Sequence, residues 1–350
     1  MAIRTLRILA TAGALDPIAT LLQGDEVALD PVLVDGEEQV LWRGARCPIA
    51  DAAPEIGWFS PELFRAGIAS HFLALAAGAP SLGWMQSARA GFNDPGLAPL
   101  VERGVRLTTS DGPAVAMAEY ALAQVLDHYQ RGPERRAAQA EALWRPLPFR
   151  ELGGTSWLLF GFGSVGREIA ARARPFGARI TGVRRSGGTD PFADRIVTPA
   201  EADAALAEAD VLILSLPLSR ETENMADAAF LARLKPGALF INVGRGALVD
   251  EEALRAALDG GRPGHAVLDV TRTEPLPPES WMWRHPGITL TPHVSGLGKG
   301  TFARTLALFA DNLRRFARGE PLRNEVRAAD VMASAGLDGA PAASGSNRGG

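Results

Sequence analysis

The sequence has little cysteine, no long apolar run and no marked surplus of either charge, and each shortage removes a class of protein. Its 350 residues hold one cysteine, Cys47, so no disulfide can form within the chain, and a reducing compartment fits. Nothing at metal-ligand spacing surrounds Cys47, which reads as a structural thiol, and no metal site is expected. The 36 Lys and Arg against 40 Asp and Glu leave a net charge of -4 and a pI near 5.8. That balance offers no electrostatic attraction for nucleic acid or an anionic membrane. No uninterrupted apolar segment reaches transmembrane length. The N-terminal MAIRTLRILATAGALD has too short an apolar part for a signal peptide and reads as a first strand. A cytoplasmic location is the default expectation, and no internal repeat is present.

What the chain does have is ordinary globular composition, 47% hydrophobic and 22% charged, and enough length for two domains with separate cores. Residues 155 to 188, TSWLLFGFGSVGREIAARARPFGARITGVRRSGG, organise the rest. An apolar run, Trp157 to Phe160, leads into Gly161-Phe162-Gly163-Ser164-Val165-Gly166. A helical pattern follows over 164 to 174, with Val165, Ile169 and Ala173 on one face, and then a β-type run from Ile180 to Val183. This is G-x-G-x-x-G in the setting a dinucleotide requires, strand before and helix after. Gly161 makes the tight turn, Gly163 lets a pyrophosphate approach, Gly166 permits close helix–strand packing, and the helix N-terminus faces the phosphates.

At the end of the second strand, where an acid would hold the ribose 2′-hydroxyl of NAD, stands Arg184, followed by Arg185 and Ser186. Two cations and a hydroxyl suit a 2′-phosphate, so NADP(H) is the preferred cofactor. NAD(H) remains open if Asp190 or Asp194 is instead the ribose acid.

Residues 5 to 113 alternate strand candidates (6–10, 26–29, 39–42, 56–59, 82–86 and 105–108) with helical patterns near 16–23, 61–67 and 69–77. This order predicts a parallel α/β sheet. Pro113 opens a long helix, PAVAMAEYALAQVLDHYQR, and a polar Arg- and Ala-rich stretch covers 131–143. After the glycine loop, strands are expected at 211–218, 238–244, 265–270 and 288–293, with a helix over 250–261. The expected fold is therefore α/β, two doubly wound parallel-sheet domains with a cleft between them, the C-terminal-half one a Rossmann dinucleotide-binding domain. The helical pattern 300–318 crosses back to the first domain. Residues 1–113 and 297–330 then form a discontinuous substrate domain and 114–296 the dinucleotide-binding domain. A Gly-, Ala- and Ser-rich 331–350 is expected to be a disordered tail.

Three polar residues stand at predicted strand ends, where open α/β sheets bind ligands: Arg245 after ALFINVG, Glu274 after HAVLDV, and His293 closing ITLTPH. Singly, each has a structural use as an ion pair, a turn residue or a strand-end histidine. Jointly, three residue types in this order agree with one mechanism. INVGRGALVDEEAL, LDVTRTEPLPPESWMW and TPHVSG, following G-x-G-x-x-G, resemble the signature blocks of the D-isomer-specific 2-hydroxyacid dehydrogenases. ADVLILSLPLSRETENM, MAEYALAQVL and LGWMQSARAGFNDP extend the resemblance over most of 80–297. It implies hydride transfer between a nicotinamide and the 2-carbon of a 2-keto acid.

In that family's terms Arg245 binds and polarises the substrate, and His293 is general acid or base, suited by an ordinary pKa near ~6.5. Glu274 orients the imidazole and raises its pKa. Asp269 faces the nicotinamide. Leu216, Pro217, Thr222, Val243 and Gly244 line the cofactor. Backbone amides at Ala90 and Gly91 grip the substrate carboxylate. Trp281, Met282 and Trp283 are candidate walls of the site or candidate core, as are Trp84 and Met85, and Trp283 is taken as substrate-binding. The run Arg184-Arg185-Ser186 is similar to that of NADPH-preferring glyoxylate and hydroxypyruvate reductases. The family also implies a homodimer through the nucleotide domain. Its relatives include corepressors that bind the cofactor and act through protein contacts, which is the alternative function.

Overall fold

The computed structural model describes residues 3–34 and 39–337. The chain divides into two compact units, one of residues up to Pro113 together with those from Lys299 to 337, the other Ala114–Gly298.

The first unit is built on seven strands: β1 (Arg4–Ala10), β2 (Val27–Val34), β3 (Val40–Trp42), β4 (Ala45–Cys47), β5 (Ile56–Phe59), β6 (Trp84–Ser87) and β7 (Arg106–Thr108). They lie in the order β4-β3-β2-β1-β5-β6-β7. β2, β1, β5, β6 and β7 are parallel, and β3 and β4 extend the β2 edge as an antiparallel hairpin. Period-two alternation sends Leu9, Phe59, Met85 and Leu107 to one core and Ile8, Trp58 and Trp84 to the other. The Thr301–Arg318 helix belongs to the second of these cores, where Phe309 stacks on Trp58 at 4.3 Å. Trp84 and Met85 are fully buried, so of their two sequence readings the structure gives core.

The second unit carries β8 (Ser156–Phe160), β9 (Arg179–Val183), β10 (Arg195–Val197), β11 (Val211–Leu214), β12 (Leu239–Asn242), β13 (His265–Leu268) and β14 (Ile288–Leu290). Every pairing is parallel, in the order β10-β9-β8-β11-β12-β13-β14. The chain leaves β8 toward β9 and β10, then returns to the other side at β11. The switch point therefore falls beside the glycine loop, the position at which such sheets bind ligands. Trp157, Leu159, Val211, Ile213, Leu239, Ile241 and Val267 share one core with the Ala114–Tyr129 helix. Among the described residues, no helix is long and apolar enough to cross a membrane.

Two stretches differ from their sequence reading. Within the polar stretch 131–143, to which the sequence assigns no element, Gly132–Ala140 form a helix, since Ala and Arg have high helix propensity and Ala138 finds burial. The expected tail from 331 begins inside another helix, Ala328–Ser334, because Val331 is 1% exposed in the Phe72–Leu97 core. The remainder of that tail, 338–350, lies outside the described residues.

Candidate active site

At the mouth of the glycine loop each glycine has a different reason to be one. Gly161 has φ +94°, and a Cβ there would meet the Ser215 carbonyl at 2.7 Å. A Cβ on Gly166 would stand 2.4 Å from the Gly161 oxygen, which is where helix meets strand. Gly163 has no protein atom within 4 Å of a Cβ and φ -93°, so neither packing nor backbone requires glycine. Gly163 and Ser164 are exposed at the start of the Ser164–Ala173 helix, which leaves both the space and the N–H groups for a phosphate. The residues present thus fit a dinucleotide on the structure's own terms. Phe162 and Val165 were expected at the cofactor, yet Phe162 is 3% exposed and its ring lies where a Gly182 Cβ would be. Val165 is 8% exposed in the same core. Both can offer only backbone.

At the end of β9 the arginine run divides. Arg184 turns back, its Nε donating to the Gly187 carbonyl at 2.6 Å and its Nη2 to the Thr189 carbonyl at 3.1 Å. Asp190, its side chain 3% exposed, lies within 3.8 Å of Arg184 and 3.4 Å of Arg167. Asp194 accepts the Ile180 N–H at 2.7 Å, at the opposite end of β9. One candidate ribose acid is therefore neutralised by two cations and the other sits at the wrong end of the strand. Arg185 and Ser186 are exposed.

The remaining strand ends hold the polar cluster. After β12, buried Asn242 shapes a tight turn: its Oδ1 accepts the Gly244 N–H at 3.0 Å and its Nδ2 donates to the Arg245 carbonyl at 2.8 Å. Half-buried Arg245 donates from Nη1 to the Gly244 carbonyl at 2.8 Å. Gly246 lets this turn close on the segment after β13, since a Cβ there would stand 1.9 Å from the Thr271 carbonyl carbon. From that segment Glu274 reaches His293, Oε2 to Nδ1 at 2.8 Å, and its Oε1 accepts the Thr271 N–H at 3.1 Å. Burial pushes the Glu274 carboxyl up, but the His293 hydrogen bond and charge, the Thr271 N–H and the Arg245 charge together hold it below its ordinary value. Glu274 is then a carboxylate and can only accept, so His293 carries its proton on Nδ1 and turns Nε2 outward. The His293 side chain is 42% exposed.

The sequence model of the D-isomer specific 2-hydroxyacid dehydrogenase NAD binding domain matches residues 122–295. The glyoxylate/hydroxypyruvate reductase A of Salmonella newport (strain SL254) is 34% identical over 215 residues, 61% of this chain and 68% of that protein. The chain belongs to the D-isomer specific 2-hydroxyacid dehydrogenases. A family member from Aeromonas salmonicida aligns in structure with TM-score 0.71 and 30% identity, covering 93% of this chain and 100% of that one. Another from Xanthobacter autotrophicus Py2, solved with NADPH and MES, aligns with TM-score 0.75 and 25% identity over 93% and 99%. By membership the protein is an NAD(P)-dependent oxidoreductase of 2-hydroxy acids, with two α/β units of which the second is the Rossmann type.

The other candidate cofactor and substrate residues of this dehydrogenase have the following surroundings. Asp269 is 1% exposed, and its carboxylate is taken up by the His293 loop: Oδ1 accepts from the Thr291 hydroxyl at 2.6 Å and the Val294 N–H at 2.9 Å, and Oδ2 from the Ser295 N–H at 2.9 Å. Val243, 2% exposed, points into the core, and Gly244 is closed in by Leu216 and Leu248. The Thr222 hydroxyl closes its own turn, donating to the Pro217 carbonyl at 3.0 Å and accepting the Ser219 N–H at 2.8 Å. Leu216 is half-buried and Pro217 exposed. Met282 is core at 2% exposure, whereas Trp283 is 53% exposed with its indole N–H on the Pro277 carbonyl at 2.9 Å. Ala90 is exposed and Gly91 half-exposed after β6 in the first unit. Sequence reading overlooked Asn242, Thr291 and Tyr120. The available signal was a polar residue interrupting an apolar strand end, in LFIN and in ITLT.

Proposed function

We propose that this dehydrogenase reduces a short 2-keto acid, glyoxylate or hydroxypyruvate, with NADPH. The observation that carries the reading is the 2.8 Å His293–Glu274 pair beside the Arg245 turn. The reductase name of the Salmonella relative and the NADPH bound by the Xanthobacter one support the substrate and cofactor. Gly161 to Gly166 would hold the pyrophosphate. Arg185 and Ser186 would take the 2′-phosphate, with Arg184 fixing the turn that carries them. Leu216, Pro217, Thr222, Val243, Gly244 and the Asp269 segment would line the remaining length through backbone and exposed edges. When bound, the nicotinamide supplies a hydride to the keto carbon.

The chain's own groups do the rest. Arg245 binds the carboxylate and draws electron density toward the keto oxygen through charge-assisted hydrogen bonds. Trp283 would stand at the substrate's flank. His293 gives a proton from Nε2 to the developing alkoxide, while Glu274 on Nδ1 fixes the orientation of the ring. In the oxidative direction the same Nε2 takes the proton back. Residues 1–113 with 297–330 act as the substrate domain and 114–296 as the dinucleotide-binding domain. The corepressor alternative draws no support from relatives that are reductases by name.

Following NADPH and NADH oxidation with glyoxylate, hydroxypyruvate and larger 2-keto acids tests the reading. Faster consumption of NADPH with the short acids is expected; no consumption with any pair overturns it. A cytoplasmic homodimer is part of the proposal. Leu143, Trp144 and Phe149 of the second unit are 50%, 101% and 50% exposed, an apolar cluster that a monomer would leave in water. Light scattering should give twice the chain mass, and Trp144→Asp should reduce it; a monomeric wild type removes this part.

A further inference from the structure

We infer that Tyr120 is a positioning residue for His293, acting through the Thr291 hydroxyl and the Asp269 carboxylate that anchor the His293 loop. The inference rests on the acid–base role given to His293 above. Tyr120 lies on the Ala114–Tyr129 helix, and its Oη is 2.7 Å from Thr291 Oγ1. Thr291 has one hydroxyl proton and gives it to Asp269 Oδ1 at 2.6 Å. Its oxygen must therefore accept from Tyr120, which fixes the direction of the chain as Tyr120 to Thr291 to Asp269. Burial pushes the Tyr120 phenol up to about 12, so it remains a donor throughout the working range.

What this chain holds is the backbone on both sides of His293. Asp269 grips Thr291 before it and the Val294 and Ser295 N–H groups after it, and its carbonyl accepts the His293 N–H at 2.8 Å. Between these anchors His293 adopts φ +54°, a left-handed conformation uncommon for residues other than glycine although histidine is among those found there more often. The described hydrogen bonds connect Tyr120 to the His293 loop through this anchor.

The test compares Tyr120→Phe, Thr291→Val and their double variant with Tyr129→Phe. Tyr129 lies on the same helix, buried where Tyr120 is half-buried, and its hydroxyl goes to the Asp210 carbonyl at 3.4 Å, away from the loop. Tyr120→Phe should lower kcat about 2- to 10-fold, the worth of one hydrogen bond, and leave both KM values unchanged. Thr291→Val should lower it at least as far, the double variant no further than Thr291→Val, and Tyr129→Phe not at all. Hydrogen exchange should quicken at residues 293–296 in Tyr120→Phe and nowhere else. Wild-type kcat or unchanged exchange in that variant, or a loss equal to that of Tyr129→Phe, overturns the positioning role. A His293→Ala variant separates the two readings: if it keeps wild-type turnover the acid–base assignment itself has failed, whereas its inactivity beside a normal Tyr120→Phe removes the positioning role alone. Should no keto acid be turned over, unchanged exchange at 293–296 is sufficient to reject it.

Discussion

At His293 the backbone and the ring are held separately, both by acidic residues of the β13 exit segment. Asp269 secures the backbone and Glu274 the ring. The roles are separable by substitution. Glu274→Gln keeps an acceptor for Nδ1 but replaces the charge-assisted hydrogen bond that orients the ring by a neutral one, so kcat should fall about 10- to 100-fold with Tm nearly unchanged; His293→Ala should lose roughly 10²-fold or more. Equal kcat for wild type and Glu274→Gln would mean that the carboxylate's charge plays no part. The arginines divide in the same manner. Arg185→Ala should raise KM for NADPH far more than for NADH. Arg184→Ala should also lower Tm, because it frees the carbonyls of Gly187 and Thr189 and leaves Asp190 with one cation fewer. If Arg185→Ala affects both cofactors alike, the 2′-phosphate lies elsewhere. Arg245, Glu274 and His293 could be singled out in the sequence because three polar residue types follow successive apolar strands, and the structure brings Glu274 and His293 into a hydrogen bond. Asn242, Thr291 and Tyr120 could not, since a polar side chain near a strand end or in a helix is equally consistent with solvent until its partner is known.

At the level of elements, the glycine loop offers a contrast between two substitutions that look alike in sequence. Gly166→Ala would drive a Cβ to 2.4 Å from the Gly161 oxygen, a backbone atom that cannot turn aside, and should lower Tm by forcing helix from strand. Gly163→Ala meets nothing within 4 Å, so its Tm should match wild type while KM for the cofactor rises about tenfold or more. Thermal melts with and without cofactor distinguish the two, and a destabilised Gly163→Ala would mean that this glycine serves the fold. The motif announced three glycines; only their surroundings tell which one has open space beside it. Long strands with clear periodicity were equally legible. β4, β10 and the helix 132–140 were not, being three-residue edge strands and a helix whose single buried residue, Ala138, gives no apolar stripe.

For the whole molecule, acid sensitivity follows from histidines remote from the chemistry. His265, at the start of β13, stacks on His128 with ring centroids 4.8 Å apart and shares a hydrogen bond with Thr289 at 2.9 Å. Burial, with the charges of His128 and His285 adding to it, holds His265 down to about 4, and burial lowers His128 as well, against the pull of Glu134 and Asp127. Both rings therefore fold neutral. A histidine whose folded pKa is depressed stabilises the fold above its unfolded value near ~6.5, and that contribution drains away as pH falls toward 4, because the unfolded chain takes up the proton first. At pH 5 His265 alone should cost about 1–2 kcal/mol relative to pH 7.5, a Tm lower by a few degrees for a unit of this size. The lowered carboxyls of Glu274 and Asp210 lose their contribution only below the ordinary carboxylate value, so the first decline belongs to the histidines. Replacing His265 by Gln keeps a partner for Thr289 and removes the titration. Melts from pH 7.5 to 4.5 should therefore show a flatter curve for His265→Gln than for wild type. Parallel curves across that window would assign the acid loss to other groups.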